Sequence, residues 1–288
     1  MLTISNNILK VTIATEGAEL QSVFNQTTGL EYLWDAKPIW PKRSPILFPV
    51  VGGLKDGSYE YEGGTYYFNR HGFAREENFL VGAQSETSVT LYIETTPNTR
   101  KQYPFDFKFS ITYTLKDAEL EVSYLVENLG DGGLYFSVGA HPAFNVPLVP
   151  GDSYTDYYLS FSETENAGIY PIAADGLIEN TPKAFLINTN QLPLTKSLFY
   201  NDALIFKELK STSISILNHK NPHGLTLSYP NFPYMGIWSA KDSDFVCIEP
   251  WCGLGDTEST TKQLQEKEGI VLLGAKEQFS RSWVLSTF

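Results

Sequence analysis

The chain has 288 residues, 42% of them hydrophobic and 19% charged, and a net charge of −12. This balance suits a folded protein and excludes wholesale disorder, and the length suits one large all-β domain spanning residues 1–288. So acidic a chain is a poor fit for nucleic acid or an anionic membrane as partner.

The first fifteen residues have no basic start followed by an apolar run, and no stretch of about 18 apolar residues follows, so a cytoplasmic protein is expected. Alternation dominates from there on. Leu9, Val11 and Ile13 alternate with Lys10 and Thr12. Residues 29–34 are short and aromatic. Residues 65–69 follow the Gly63-Gly64 turn and predict a hairpin with Tyr59 and Tyr61. The clearest strands are 88–94, 107–114 and 119–128. In the last, Leu120, Val122, Tyr124 and Val126 share one face, the mark of a half-exposed antiparallel strand. Residues 134–138 make a strand that enters Gly139-Ala140-His141-Pro142. Residues 157–161, 203–207, 213–217, 225–229, 235–239, 245–249, 271–273 and 279–285 continue the series. The best helix candidate is 258–266. About fifteen short strands without crossover helices predict one large antiparallel β-sandwich of two sheets.

The segment Phe245-Val246-Cys247-Ile248-Glu249-Pro250-Trp251 carries the strongest functional signal. Phe245 to Ile248 reads as a buried strand, and it ends in a carboxylate. A buried charge is costly unless it is paired or used. Pro250 lacks an N–H, so the strand is expected to stop or reach an edge there. His71 and His141 also follow apolar strands, before Gly72 and Pro142. An acid and two imidazoles at strand ends can do general acid–base chemistry near neutral pH. His219 and His223 are four apart, but Pro222 and Gly224 make a turn, so a helical metal face is not expected. Cys247 and Cys252 fit neither a disulfide framework nor a zinc knuckle and read as free thiols. Nucleophile-elbow, P-loop and dinucleotide fingerprints are missing. Arg43 sits among three prolines and a glycine pair, and Arg70 and Arg75 flank His71, a positive cluster on an acidic chain. Trp238, Trp251 and Phe73 could give flat platforms for a sugar ring.

Taken in order, RSPILFPVVGGL, HGFAR, VGAHPAFNVP, NDALIF and VCIEPWCG resemble the galactose mutarotase (aldose 1-epimerase) superfamily across essentially the whole chain. They are most similar to its branch of LacX-like proteins and hexose-6-phosphate mutarotases. The resemblance implies a β-supersandwich and interconversion of the α and β anomers of a hexose or hexose 6-phosphate, with no cofactor or metal. It implies Glu249 as general base and His141 as general acid. It puts His71 and Arg43 in the site as donors to the sugar, and Asp202 as a grip on sugar hydroxyls. HGFAR is the segment most similar to the hexose-6-phosphate branch. Arg75 is therefore a candidate substrate contact that would read a phosphate if the sugar carries one, with a free aldose equally open. An imidazolium beside a carboxylate leads one to expect a raised His141 pKa. The family's Tyr-Thr-Gly-Asn is Tyr234-Met235-Gly236-Ile237 here, and Pro-Trp follows Glu249 in place of Thr-Gln, which points away from galactose as the main substrate. The rival readings are an inert sugar-binding or sugar-sensing protein on the same scaffold and a polysaccharide-processing enzyme. The oligomeric state stays open.

Overall fold

A computed structural model describes residues 1–288. The chain is an all-β antiparallel sandwich of twenty-three strands. Its larger layer is a nine-stranded sheet. In spatial order the strands are Lys183–Pro193, Tyr157–Ile169, Ser213–Asn218, Leu225–Ser228, Gln278–Thr287, Glu119–Asn128, Phe107–Lys116, Ser88–Glu94 and Leu80–Gln84. Facing it is a six-stranded sheet. Leu204–Phe206, Tyr234–Trp238, Phe245–Cys252, Val138–Ala140 and Ile46–Leu47 run side by side, and Ala143–Asn145 also pairs with Phe245–Cys252. A four-stranded sheet of residues 2–31 and two two-stranded ribbons complete the fold.

The alternation in Glu119–Asn128 works as expected: Leu120, Val122, Tyr124 and Val126 are buried, while Glu119 and Glu121 face water. Asp117, at φ +52°, turns this strand back onto Phe107–Lys116, and the two then pair over their full lengths. The two layers meet through aromatic rings. Phe48 follows Ile46–Leu47 and stacks on Phe109 of the nine-stranded sheet, centroids 4.4 Å apart. Sixty-five buried side chains, from Ile4 to Leu285, form one connected core.

Several elements differ from expectation. Residues 258–266 are not a helix: only a 3-10 turn, Leu264–Glu266, forms there, and the one α-helix is Thr99–Gln102. ESTTKQLQE has helix-compatible residues but no apolar stripe to bury, and propensity alone rarely holds so short a helix. Residues 134–138 split into two strands on different sheets. Leu134–Phe136 pairs with Val271–Leu273, and Val138–Ala140 joins the six-stranded sheet. Between them the Ser137 N–H donates to the Pro49 carbonyl at 2.7 Å. The strand at 245 does not stop at Pro250 but runs Phe245–Cys252, buried throughout.

Candidate active site

Phe245–Cys252 passes Pro250 because its partner on one side is interrupted. Ala143–Asn145 pairs with residues 245–247, and Val138–Ala140 pairs with residues 251 and 252. Residues 248–250 lie opposite the gap, where an absent proline N–H breaks no ladder on that side. The chain that makes the gap, Ala140-His141-Pro142, carries an imidazole into it. His141 Nε2 lies 3.4 Å from Glu249 Oε2, and the Glu249 side chain is only 2% exposed. On the other side, Gly236 pairs with Glu249. A Cβ at Gly236 would come within 2.4 Å of the Trp251 ring, so the residue keeps the space that the indole fills.

His71 reaches the same place from a turn. Its backbone is left-handed, φ +72°, a conformation that costs a non-glycine residue about 1–3 kcal/mol and persists only where its surroundings hold it. Gly52 is the clasp. Its carbonyl accepts the His71 N–H at 2.8 Å, and its N–H donates to His71 Nδ1 at 3.0 Å. That bond places the imidazole proton on Nε2, the nitrogen left for the cavity. Gly52 also passes against Gly255, where a Cβ would stand 2.5 Å from the Gly255 Cα. Behind this contact Asp256 accepts the Lys55 N–H at 2.9 Å and the buried Lys267 ammonium at 2.5 Å. The Lys55 bond ties together the two segments that floor the site, and the ammonium of Lys267 compensates the buried carboxylate that makes it.

These residues open on a cavity of about 370 Å³. Glu249, His141, His71, Arg75, Asp202, Trp238 and Trp251 all line it, together with Arg70 and Trp40. Trp40 stacks on His141 with centroids 5.2 Å apart, and Trp238 meets the same imidazole edge-on at 5.7 Å. His71 and His141 meet edge to face at 5.6 Å. Neither cavity arginine is committed. Arg70 makes no hydrogen bond or ion pair to the protein, and the carboxylate nearest Arg75, on Glu76, is 4.0 Å away. The Arg75 Nε is buried without a partner. Asp202, at φ +84°, holds its own turn by accepting the Ala203 N–H at 2.7 Å.

One expected site residue lies elsewhere, and one candidate platform is core. Arg43 does not line the cavity: its guanidinium donates to the Gln21 side chain at 2.6 Å and to the Asp35 carbonyl at 3.1 Å. Glu19 accepts the backbone N–H groups of Arg43 and Ser44, which fixes the segment with Trp40 inward and Arg43 outward. Phe73 is core, packed edge-on against Phe48. Two cavity residues had no firm place in the sequence reading. Trp40 gave no signal beyond an aromatic residue beside Pro41. Strand alternation would turn Arg70 away from His71, but Asn69–Gly72 is a turn, so both face inward. His219 stacks on Tyr158 in the bend expected for it. Both cysteines are free and buried.

Burial governs the electrostatics. It pushes the His141 pKa down to about 3, and Arg75 and Arg70 add to that effect. The expected upward shift therefore does not occur, because desolvation dominates. His71 is lowered for the same reason, with His141 and both arginines contributing. Burial raises Glu249 well above its ordinary range, and Asp202 adds to it, whereas the Trp251 indole and Arg70 oppose it. Both partners thus favour their neutral forms. The pair still holds one proton, which is what an acid and a base acting in concert must share.

Comparison with known proteins places the chain in a family. The sequence profile of the aldose 1-epimerase family matches residues 1–267. The chain is 35% identical over 279 residues to the chromosomal protein LacX of Lactococcus lactis subsp. lactis, covering 93% of this chain and 92% of that one. A galactose mutarotase related enzyme from Lactobacillus acidophilus superposes with a TM-score of 0.95 at 34% identity, over 100% of this chain and 97% of the other. A galactose mutarotase-like protein from Lactobacillus casei gives 0.94 at 31% identity over the whole of both chains. With a family profile over most of its length and relatives above 30% identity over nearly all of it, this chain belongs to the aldose 1-epimerase family.

Proposed function

We propose that the protein is a mutarotase acting as one unit over residues 1–288, with a hexose or hexose 6-phosphate as substrate. It opens and recloses the sugar ring, with Glu249 as base and His141 as acid. The observation that carries this reading is the 3.4 Å contact between one carboxyl and one imidazole, buried under a cavity that also offers uncommitted arginines and indole faces. The cavity volume falls within the range of small-molecule sites, about 300–1,000 Å³.

Mutarotation removes a proton from the anomeric hydroxyl and delivers one to the ring oxygen. The C1–O5 bond breaks, the aldehyde rotates about C1–C2, and the ring closes on the other face with the roles reversed. In the empty cavity burial favours the proton on Glu249. The working form is the ion pair, one proton transfer away across the 3.4 Å contact. Hydrogen bonds from sugar hydroxyls favour the carboxylate, and His71 Nε2–H is left to donate to the sugar. Substrate binding thus arms the pair. Trp40 and Trp238 hold the imidazole plane, and Trp238 and Trp251 face the sugar ring. Each acid or base is worth about 10²–10⁴-fold in rate.

Polarimetry tests the proposal. Freshly dissolved α-glucose, α-galactose and their 6-phosphates are mixed with the protein and optical rotation is followed. Faster decay of rotation for at least one sugar is expected. Binding of a sugar without any acceleration would make the protein an inert sugar-binding member of the family.

A further inference from the structure

We propose that His141, Cys247 and Glu249 form a reversible inhibitory site for a soft divalent cation such as zinc. Cys247 has no part in the acid–base reading, and the site goes beyond it, since metal capture needs no sugar. Cys247 and Glu249 are two residues apart on Phe245–Cys252, so their side chains leave the strand on the same face. His141 enters opposite them through the gap in the partner strand. An imidazole nitrogen, the thiol sulfur and a carboxylate oxygen all lie within 4.8 Å of one another, and all three residues are buried.

The geometry is near that of a zinc site. Ligands about 2.0–2.3 Å from a tetrahedral zinc stand roughly 3.3–3.8 Å from each other. The His141–Glu249 edge already measures 3.4 Å, so only the sulfur has to close in. His141 and Glu249 both line the cavity, so a fourth ligand can come from it, as in zinc sites that keep an exchangeable ligand. One sulfur, one nitrogen and one oxygen donor favour zinc, cobalt or cadmium over magnesium or calcium.

Charge supports the same assignment. A thiolate and a carboxylate neutralise a divalent cation, so the loaded site has no net charge. Surroundings built from Trp34, Trp40, Trp238 and Phe245 penalise single charges but accept a neutral cluster. Binding replaces the thiol proton and the one proton that Glu249 and His141 share. Both leave to solvent, and nothing is oxidised or reduced. Two features keep the affinity moderate. Arg70 and Arg75 repel a cation, and His141 Nδ1 has no partner to steady the ring, unlike the histidines of dedicated zinc sites. The metal therefore acts as an inhibitor that occupies both catalytic groups.

The test is a cobalt(II) titration of the full, reduced, metal-free chain, followed by thiolate-to-cobalt charge-transfer absorption. One equivalent should produce the band, zinc should displace it and magnesium should not. Cys247→Ser should abolish the band. His141→Asn should weaken binding by at least about 10²-fold, more than losing an outer-shell partner costs. Circular dichroism checks folding. Should the buried Cys247→Ser fail to fold, His141→Asn at the cavity wall decides. Zinc, and not magnesium, should also slow mutarotation. Absence of the band in the wild type, its survival in folded Cys247→Ser, or undiminished affinity in His141→Asn would overturn the proposal. Each of these readouts is independent of sugar turnover, so the metal site and the mutarotase reading can fail separately.

Discussion

Glu249 and His141 titrate as a pair, and the directions of their shifts set the pH behaviour. Glu249 is raised from its ordinary 4.5, and His141 is lowered from 6.5 to about 3. The single shared proton therefore survives over a wider window than 4.5–6.5. Below the window His141 takes a second proton and no base is left; above it Glu249 loses the only proton and no acid is left. We expect kcat/KM to hold its level as pH falls below 4.5, because it reports the free enzyme, whose His141 resists protonation. A bell confined to pH 4.5–6.5 would mean two solvated, independent groups. Stability carries the opposite sign. Glu249's folded pKa lies above its unfolded value, so its contribution to folding is full below pH 4.5 and is lost as pH rises through the folded value. Glu249→Gln has no such loss. Its melting temperature should gain on the wild type as pH rises above 4.5, while kcat falls at least about 10²-fold. His141→Asn should lose a similar factor in kcat. Turnover near wild type in either variant rules the roles out. Glu249 and His141 are legible in the sequence because each ends an apolar run at Pro, and His71 because it precedes Gly72 just after a hairpin strand. The choice between Arg43 and Trp40 is not, because Glu19, twenty-four residues before Arg43, decides which of them turns inward.

The strand Phe245–Cys252 shows what the sequence can and cannot convey about an element. Its apolar half is plain to read. Its continuation through Pro250 depends on a break in its partner, which is a property of pairing. Lys183–Pro193 is illegible for a related reason. It lies at the end of the nine-stranded sheet and buries little beyond Leu186 and Leu192, so no alternation marks it. Gly236 can be interpreted only with its neighbour in place. In sequence it is one glycine between Met235 and Ile237; in the sheet it faces the Trp251 indole, 2.4 Å from where a Cβ would sit. A rigid ring lying across Gly236's strand cannot yield as a flexible side chain would. Gly236→Ala should therefore lower stability by about 1–3 kcal/mol, the usual cost of overpacking, and should raise KM by displacing a cavity wall. Denaturant midpoints and steady-state kinetics check both effects. An alanine variant with unchanged midpoint and KM would show that the indole has room to move.

At the scale of the whole molecule the charge distribution bears on the substrate. A chain of net charge −12 repels anions at long range, yet its candidate site holds two guanidinium groups without a carboxylate partner closer than 4.0 Å. Elsewhere many cations are paired, among them Lys207 with Glu268, Lys220 with Asp156 and the buried Lys267 with Asp256. Leaving arginines unpaired beside a cavity forgoes that stabilisation unless a ligand supplies the anion. A neutral hexose can accept hydrogen bonds from a guanidinium, but a phosphate matches the planar fork with two charge-assisted bonds. Arg75 is the better probe, since its Nε is buried and unpartnered, so water does not already satisfy it. If the substrate carries a 6-phosphate, Arg75→Ala should lose about 2–3 kcal/mol in kcat/KM toward the phosphorylated sugar, the scale of a hydrogen bond to a charged group. It should lose much less toward the free sugar. Arg70→Ala should follow the same pattern with a smaller loss, because Arg70 is more exposed and better screened. The measurement is kcat/KM for glucose and galactose against their 6-phosphates in the wild type and both variants. Equal losses on free and phosphorylated sugars would make the arginines ring-hydroxyl donors. A wild type indifferent to the phosphate would assign the cavity to neutral aldoses.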